Sequence, residues 1–171
     1  MIIELIAATA EQRPTLENLM QLYIHDFSEH WSGRSEGDIG ENGRFADYPL
    51  DAYWREANHV PLLLRVSGTL AGFALLNDVS HVGQRVDHNM AEFFVARKYR
   101  RTGIGKGAAH QIFTRFPGQW ETSVARRNAA ALAFWRKVIM QHSLVSEIAE
   151  TDVSTPAWNG PVIRFRARHP N

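Results

Sequence analysis

The residues that point most directly to chemistry lie between Glu92 and Gly107. A carboxylate, Glu92, is followed by Phe93-Phe94-Val95-Ala96, then by Arg97, Lys98, Arg100, Arg101 and Lys106 set around Gly103, Gly105 and Gly107. An apolar strand pattern runs into a basic turn, then into a glycine-spaced turn that opens a helix. That order leaves unpaired backbone N–H groups at a helix N-terminus, where phosphate binds readily. Gly103 and Gly105 let the chain turn tightly and approach a ligand with no Cβ in the way. The amides from Arg101 to Gly107 can then converge on a pyrophosphate. Arg100, Arg101 and Lys106 add charge. A phosphate clamp with a carboxylate just upstream predicts an enzyme that uses a phosphate-bearing cosubstrate. Two common phosphate loops do not match. A dinucleotide site requires Gly-x-Gly-x-x-Gly and an acidic residue ending the next strand, whereas this chain has Gly-x-Gly-x-Gly and lacks that acid. A P-loop requires Gly-Lys-Ser/Thr, which is also missing.

These groups need a scaffold, and the hydrophobic pattern supplies one. A short strand is predicted over residues 2–8 and a helix from Thr9 or Ala10 to about residue 26, with Leu16, Leu19, Met20, Tyr23 and Phe27 on its core face. Residues 32–43 carry spaced glycines among charges and read as a loop. Pro49 precedes a short helix over about 50–57. Two strands, 60–66 and 70–76, flank Ser67-Gly68-Thr69 as a hairpin. After a loop at 77–87 come a strand at 89–96, a helix at 103–116 stopped by Pro117-Gly118, and a strand at 119–125. Asn128 then caps a helix over 129–140, and strands at 143–149 and 161–168 close the chain. The expected fold is α/β (α+β), a mixed sheet of about six to seven strands flanked by about four helices. The whole chain, 1–171, reads as a single domain.

Composition narrows the function classes. The chain has 171 residues, a hydrophobic fraction of 44%, a charged fraction of 22% and a net charge near +1, which argues against a general nucleic-acid binder. It has no cysteine, so disulfides, a thiol nucleophile and Cys-ligated zinc are excluded; this fits a cytoplasmic protein. No apolar run approaches a membrane span, and the first residues lack the basic start of a signal peptide. The histidines are scattered without a His-x-x-x-His pair, so no metal site is expected. The even net charge hides an asymmetry. Residues 26–51 are acidic and glycine-rich, and residues 97–127 are basic. The basic half suits a polyanionic ligand and the acidic half a cationic one.

Arg100-Arg101-Thr102-Gly103-Ile104-Gly105 resembles the Arg/Gln-x-x-Gly-x-Gly/Ala signature of the GNAT superfamily, the acyl-CoA-dependent N-acyltransferases. Phe93-Phe94-Val95 resembles the family's fourth strand. Asn128-Ala129-Ala130-Ala131-Leu132-Ala133-Phe134-Trp135 resembles its Asn-x-x-Ala-x-x-Phe/Leu-Tyr motif. The segments 18–29 and 117–121 look like a poorly characterised bacterial subgroup. The resemblance implies a mostly antiparallel sheet splayed between its fourth and fifth strands, with acetyl-CoA as cosubstrate. Its pyrophosphate would lie on Arg100, Arg101, Thr102, Gly103, Ile104, Gly105 and Lys106. Its pantetheine arm would run along Phe94, Val95 and Ala96, contact Asn128 and be walled by Phe134 and Trp135. Asn128 reads equally well as an ordinary helix cap.

Acyl transfer to an amine needs a deprotonated nitrogen, a polarised carbonyl and a proton for the departing thiolate. By the resemblance Glu92 is the base candidate, acting directly or through a water, with substrate anchoring or a structural salt bridge as its alternative roles; Glu121 is the second candidate, with Asp87 and His88 behind it, and a backbone N–H near Val95 could polarise the carbonyl. The family's usual acid is a tyrosine where this chain has Trp135, whose indole donates a hydrogen bond but delivers no proton. Either another group such as Tyr23, Tyr48 or Tyr53 protonates the sulfur, or water does, or the site is not catalytic. Asp26, Trp31 and Tyr53 belong to the region that shapes the acceptor pocket, where carboxylates and aromatics suit a cationic amine. The implied activity is N-acetylation of a small cationic amine. The alternatives are a CoA-binding sensor or scaffold and a protein N-acetyltransferase. A homodimer is possible by analogy alone.

Overall fold

The computed structural model describes residues 1–31 and 37–170. Its seven strands are β1 (Ile3–Ala7), β2 (Val60–Val66), β3 (Thr69–Asn77), β4 (His88–Val95), β5 (Gly118–Ser123), β6 (Val145–Ser154) and β7 (Asn159–Ala167). They form one sheet in the order β1-β2-β3-β4-β5-β7-β6. Every neighbouring pair is antiparallel except β4–β5. Three α-helices cover it: α1 (Arg13–Ser28), α2 (Ile104–Arg115) and α3 (Ala129–Met140).

β2 and β3 are apolar on both faces because both faces are covered. Leu63, Phe73 and Leu75 pack under Leu16, Leu19 and Met20 of α1. Leu62, Ala74 and Leu76, on the alternate face, join Ile112 and Phe113 of α2, Val138 and Ile139 of α3, Trp120 of β5 and Phe165 of β7. Trp120 and Phe165 stack at 6.1 Å with their planes 7° apart, and both are wholly buried. The outer strand β1 is sealed by α2, since Gln111 donates to the Ile3 carbonyl and Arg115 to the Leu5 carbonyl. That spares one sheet edge from pairing with another chain.

Two elements differ from expectation. The helix expected over 50–57 is a 3-10 turn, Asp51–Trp54, so three α-helices flank the sheet rather than about four. The buried residues there are Leu50 and Tyr53, three positions apart, a spacing that one 3-10 turn brings to the same side. β6 runs to Ser154, five residues past the expected end, because its polar residues face outward on the sheet edge and are held by pairing to β7. The other elements fall within a few residues of their expected positions. Among the described residues no helix is long and apolar enough to cross a membrane.

β4 and β5 share only the pairs His88↔Trp120 and Asn89↔Glu121. Immediately beyond, the β3–β4 register slips between Leu75 and Leu76, leaving Ala91 as an extra residue on β4. Such a bulge bends its strand and increases its twist. The two parallel strands therefore part from Met90 onward, and the splay expected between strands 4 and 5 is present.

Candidate active site

A cavity of about 790 Å³ fills the wedge. Met90, Ala91, Glu92 and Phe93 line it from β4, and Ser123, Val124 and Ala125 from the end of β5. Tyr23 and Phe27 of α1, Trp31, Tyr48, His81, Trp158, and Asn128, Ala131 and Trp135 of α3 complete the wall, with Asp38 and Asp47 beside the aromatic side chains.

Glu92 lines this space, half-buried. Burial pushes its carboxyl above the usual carboxylate range, against the opposing pull of the Tyr23 and Tyr48 hydroxyls and of His81. Burial and then the charge of Glu92 push both phenols up, so they stay neutral donors. Tyr53 lies behind Tyr48, interacts with it and with Asn77, and is buried against the ring of His59 at 5.1 Å. It does not line the cavity.

Glu121 is in a different position from Glu92. It is wholly buried and does not line the cavity. The His81 main-chain N–H donates to it at 2.6 Å, Ser80 Oγ donates at 2.8 Å, and His81 Nδ1 lies 3.2 Å away. Burial alone would raise its pKa, but these donors outweigh burial and hold the carboxyl below its usual range. His81, which no sequence pattern singled out, stands in the cavity wall in front of it. Asp87 and His88 sit elsewhere. Asp87 accepts from the Gln119 main-chain N–H, and His88 packs on Trp120 near the Pro117 carbonyl; both line a separate hollow of about 550 Å³.

The glycine turn is open. Gly103 has φ +87°, with nothing within 4 Å of where a Cβ would stand. It caps α2, whose first amides have no preceding turn to bond to. Arg101, Thr102, Gly103 and Lys106 are exposed. Thr102 Oγ1 donates to the Tyr99 carbonyl and pins the turn from behind. A Cβ on Gly105 would stand 3.3 Å from the Phe134 ring, so this glycine lets α2 approach Phe134 closely. Phe134 in turn stacks on Phe93 at 6.1 Å. Asn128 lines the cavity and also caps α3, its Oδ1 accepting from the Ala131 N–H at 3.0 Å. The main chain of β4 is available on the wedge side. Ala96 N–H donates across to Ala71, so by the strand's period of two the N–H groups of Val95 and Phe93 face away from β3.

Arg100 has an unexpected orientation. Its Nε donates to the Val95 carbonyl at 2.6 Å, and its terminal nitrogen pairs with Asp26, which also binds Arg97 at 2.7 Å. Asp26 therefore ties α1 to the glycine turn and is absent from the cavity wall, where the acceptor was expected to meet it. Burial would raise the Asp26 pKa, but Arg100 and Arg97 outweigh it and the net shift is downward. Its contribution to stability is therefore full above the ordinary carboxylate pKa and is lost as pH falls through the lowered one. Asp26→Ala should cost about 1 kcal/mol at neutral pH, the partial exposure limiting the effect, and flatten the acid limb of a stability–pH curve. Urea denaturation at several pH values measures both.

Trp31 and Trp135 are both in the wall. Trp135 is buried against Phe93 at 5.2 Å, which suits a ring that packs the floor rather than a proton donor. Among the described residues no group of acidic, histidine or cysteine side chains is arranged to hold a metal ion.

Comparison with known proteins agrees with this architecture. No curated protein matches the chain. Solved structures do, each at low identity and therefore as evidence of fold. An acetyltransferase from Thermus thermophilus superposes with a TM-score of 0.64 at 12% identity, covering 98% of each chain. PaiA N-acetyltransferase from Thermoplasma acidophilum, in complex with coenzyme A, gives 0.56 at 16%, covering 98% of this chain and 100% of that one. A spermidine N-acetyltransferase chimera from Vibrio cholerae and hSSAT gives 0.55 at 12%, covering 95% and 93%. A family model described as the acetyltransferase (GNAT) family matches residues 16–139. The chain belongs to the GNAT family of acetyltransferases and is by that membership an acyltransferase.

Proposed function

We propose that this protein transfers an acetyl group from acetyl-CoA to the primary amine of a small cationic molecule. The observation that carries the reading is Glu92, a half-buried carboxyl in the cavity wall, its pKa raised by partial desolvation, at the point where β4 leaves β5. A base must be near neutral in pKa to take a proton from an ammonium group effectively, and burial moves Glu92 in that direction.

The chain's residues fit the cosubstrate. The amides opening α2 at Gly103, Ile104 and Gly105, with exposed Arg101 and Lys106, suit a pyrophosphate. The wedge-side N–H groups of Phe93 and Val95, with the Asn128 side chain, suit the amide-bearing arm. Acetyl-CoA supplies the acyl group as an activated thioester. Glu92 takes a proton from the acceptor's ammonium group, and Tyr23 and Tyr48 steady its carboxylate. Trp31, Phe45, Tyr48, Asp38 and Asp47 form an aromatic and acidic wall suited to a cation. A spermidine N-acetyltransferase shares this fold, which supports testing polyamines first.

The experiment is thiol release from acetyl-CoA over a panel of polyamines and other small amines, with melting temperature followed in parallel. CoA should raise the melting temperature where ATP and NAD do not, and at least one amine should release thiol. CoA binding with no amine turned over would favour a sensor or scaffold. Arg101→Ala with Lys106→Ala should raise KM for acetyl-CoA about tenfold and leave kcat nearly unchanged, because phosphate charge is bound equally in ground and transition states. An unchanged KM would remove the turn from cosubstrate binding.

A further inference from the structure

We propose that His81 is a second catalytic residue of this cavity, held in place by Glu121, and that it carries a proton from the acceptor nitrogen to the departing sulfur. The inference rests on the acetyl-transfer reading above.

Three observations carry it. First, the ring is anchored at one nitrogen. Nδ1 lies 3.2 Å from Glu121 and 3.0 Å from Ser123 Oγ. Glu121 has no substrate to meet, being wholly enclosed, yet it is kept ionised by its donors. A buried carboxylate beside Nδ1 places the hydrogen there and leaves the lone pair on Nε2. Second, the remaining nitrogen has the cavity to serve, because His81 is part of its wall, as is Glu92 of β4. Trp158 lies against the ring at 4.5 Å, and the main-chain bond to Glu121 fixes the backbone. Third, the pair stands at the closed end of the wedge. Glu121 belongs to the last β4–β5 pair before the strands part. The phosphate turn follows the other end of β4, at the open mouth. A cosubstrate anchored by phosphate at the mouth presents its thioester toward the closed end.

The proton balance requires such a group. The acceptor ammonium gives up two protons in all. Glu92 takes the first and returns it to solvent. The nitrogen lone pair then forms the N–C bond, and the nitrogen of the adduct carries the second proton. His81 Nε2 takes that proton; the C–S bond breaks with its electron pair on sulfur, and His81 passes the proton to it. The products are the amide, the thiol and one released proton. His81 does the work that the family's tyrosine would have done at the position of Trp135. The groups that face the ring are Glu121, the neutral hydroxyl of Ser123, the Trp158 ring, and Glu92, whose charge reaches it through the cavity.

The test uses the full chain, His81→Ala and Glu121→Gln, with acetyl-CoA and the best amine of the panel. His81→Ala should lower kcat about a hundredfold, keep KM for acetyl-CoA within about threefold, and regain part of the rate with added imidazole. A structural role would give no imidazole rescue. Independently of turnover, the NMR spectrum of the ligand-free protein should show the neutral His81 imidazole carrying its hydrogen on Nδ1. Glu121→Gln should raise the share of the Nε2–H tautomer, since the carboxylate that holds the Nδ1 hydrogen is lost. If Glu121→Gln does not fold, the tautomer in the unmodified protein still decides the anchoring. A hydrogen on Nε2, or a kcat for His81→Ala within about threefold of an active wild type, overturns this inference alone. A wild type that turns over no amine overturns the transferase reading and this inference together.

Discussion

Glu92→Gln should lower kcat by about a hundredfold or more while raising the melting temperature at neutral pH. The two effects share one cause. Burial raises the carboxyl's pKa in the folded chain above its unfolded value. The folded state then holds its proton more tightly, so stability is full below the unfolded pKa and is lost as pH rises through the folded one. At neutral pH the ionised carboxylate is a cost to the fold and an asset to the reaction. Glutamine keeps the shape, removes the charge and accepts no proton. Wild-type kcat should fall as pH drops through the raised pKa, and the residual activity of the variant should not follow that carboxylate limb. Thiol-release rates across pH, with melting curves on the same samples, check both. A variant that is more stable and fully active would remove Glu92 from the base role. A variant that is inactive and less stable would mean that its contacts with Tyr23 and Tyr48, not its charge, are what matter.

Gly72→Ala should cost about 3 kcal/mol or prevent folding, at the upper end for overpacking. A Cβ there would stand 2.0 Å from the Phe94 carbonyl oxygen and 3.2 Å from Val95 Cα. Both are backbone atoms, so no side chain can swing aside. β3 and β4 would have to separate, and β4 is the strand that carries Glu92 and the wedge-side amides. Gly68→Ala is the control. It sits in the β2–β3 turn at φ +79° with nothing within 4 Å, so only the backbone preference is at stake, about 1 kcal/mol. Urea midpoints of the two variants measure the difference. A Gly72→Ala protein as stable as the control would contradict the close β3–β4 approach.

Much of this was legible in the chain because it is written in local patterns. β2 and β3 are adjacent apolar runs, and Gly103 marks a turn whose conformation few other residues adopt. What was not legible is what the fold brings together from afar. Asp26 meets Arg97 and Arg100 more than seventy positions away. The acidic and basic segments therefore partly neutralise each other, and Asp26, expected at the acceptor, serves as a tie. Glu121 and His81 are forty positions apart, and one histidine among eight carries no mark of its partner. Ala91 is invisible as a bulge, since alternation simply continues past it. The 3-10 turn after Pro49 was hidden by length, because the few residues there fit either helix type.

The two-pair seam between β4 and β5 also divides the molecule's cooperativity. On one side β1 to β4 form a continuous antiparallel ladder, and on the other β5, β7 and β6 form a second. Little main-chain hydrogen bonding joins them; the joint is mostly side-chain packing, in which Leu62, Ala74, Leu76 and Met90 of the first ladder share one apolar cluster with Trp120 and Phe165 of the second. Amide protons of the two ladders should therefore exchange with solvent as two separate groups, each opening with its own free energy. A ligand lodged in the wedge would join the groups, and their exchange rates would converge.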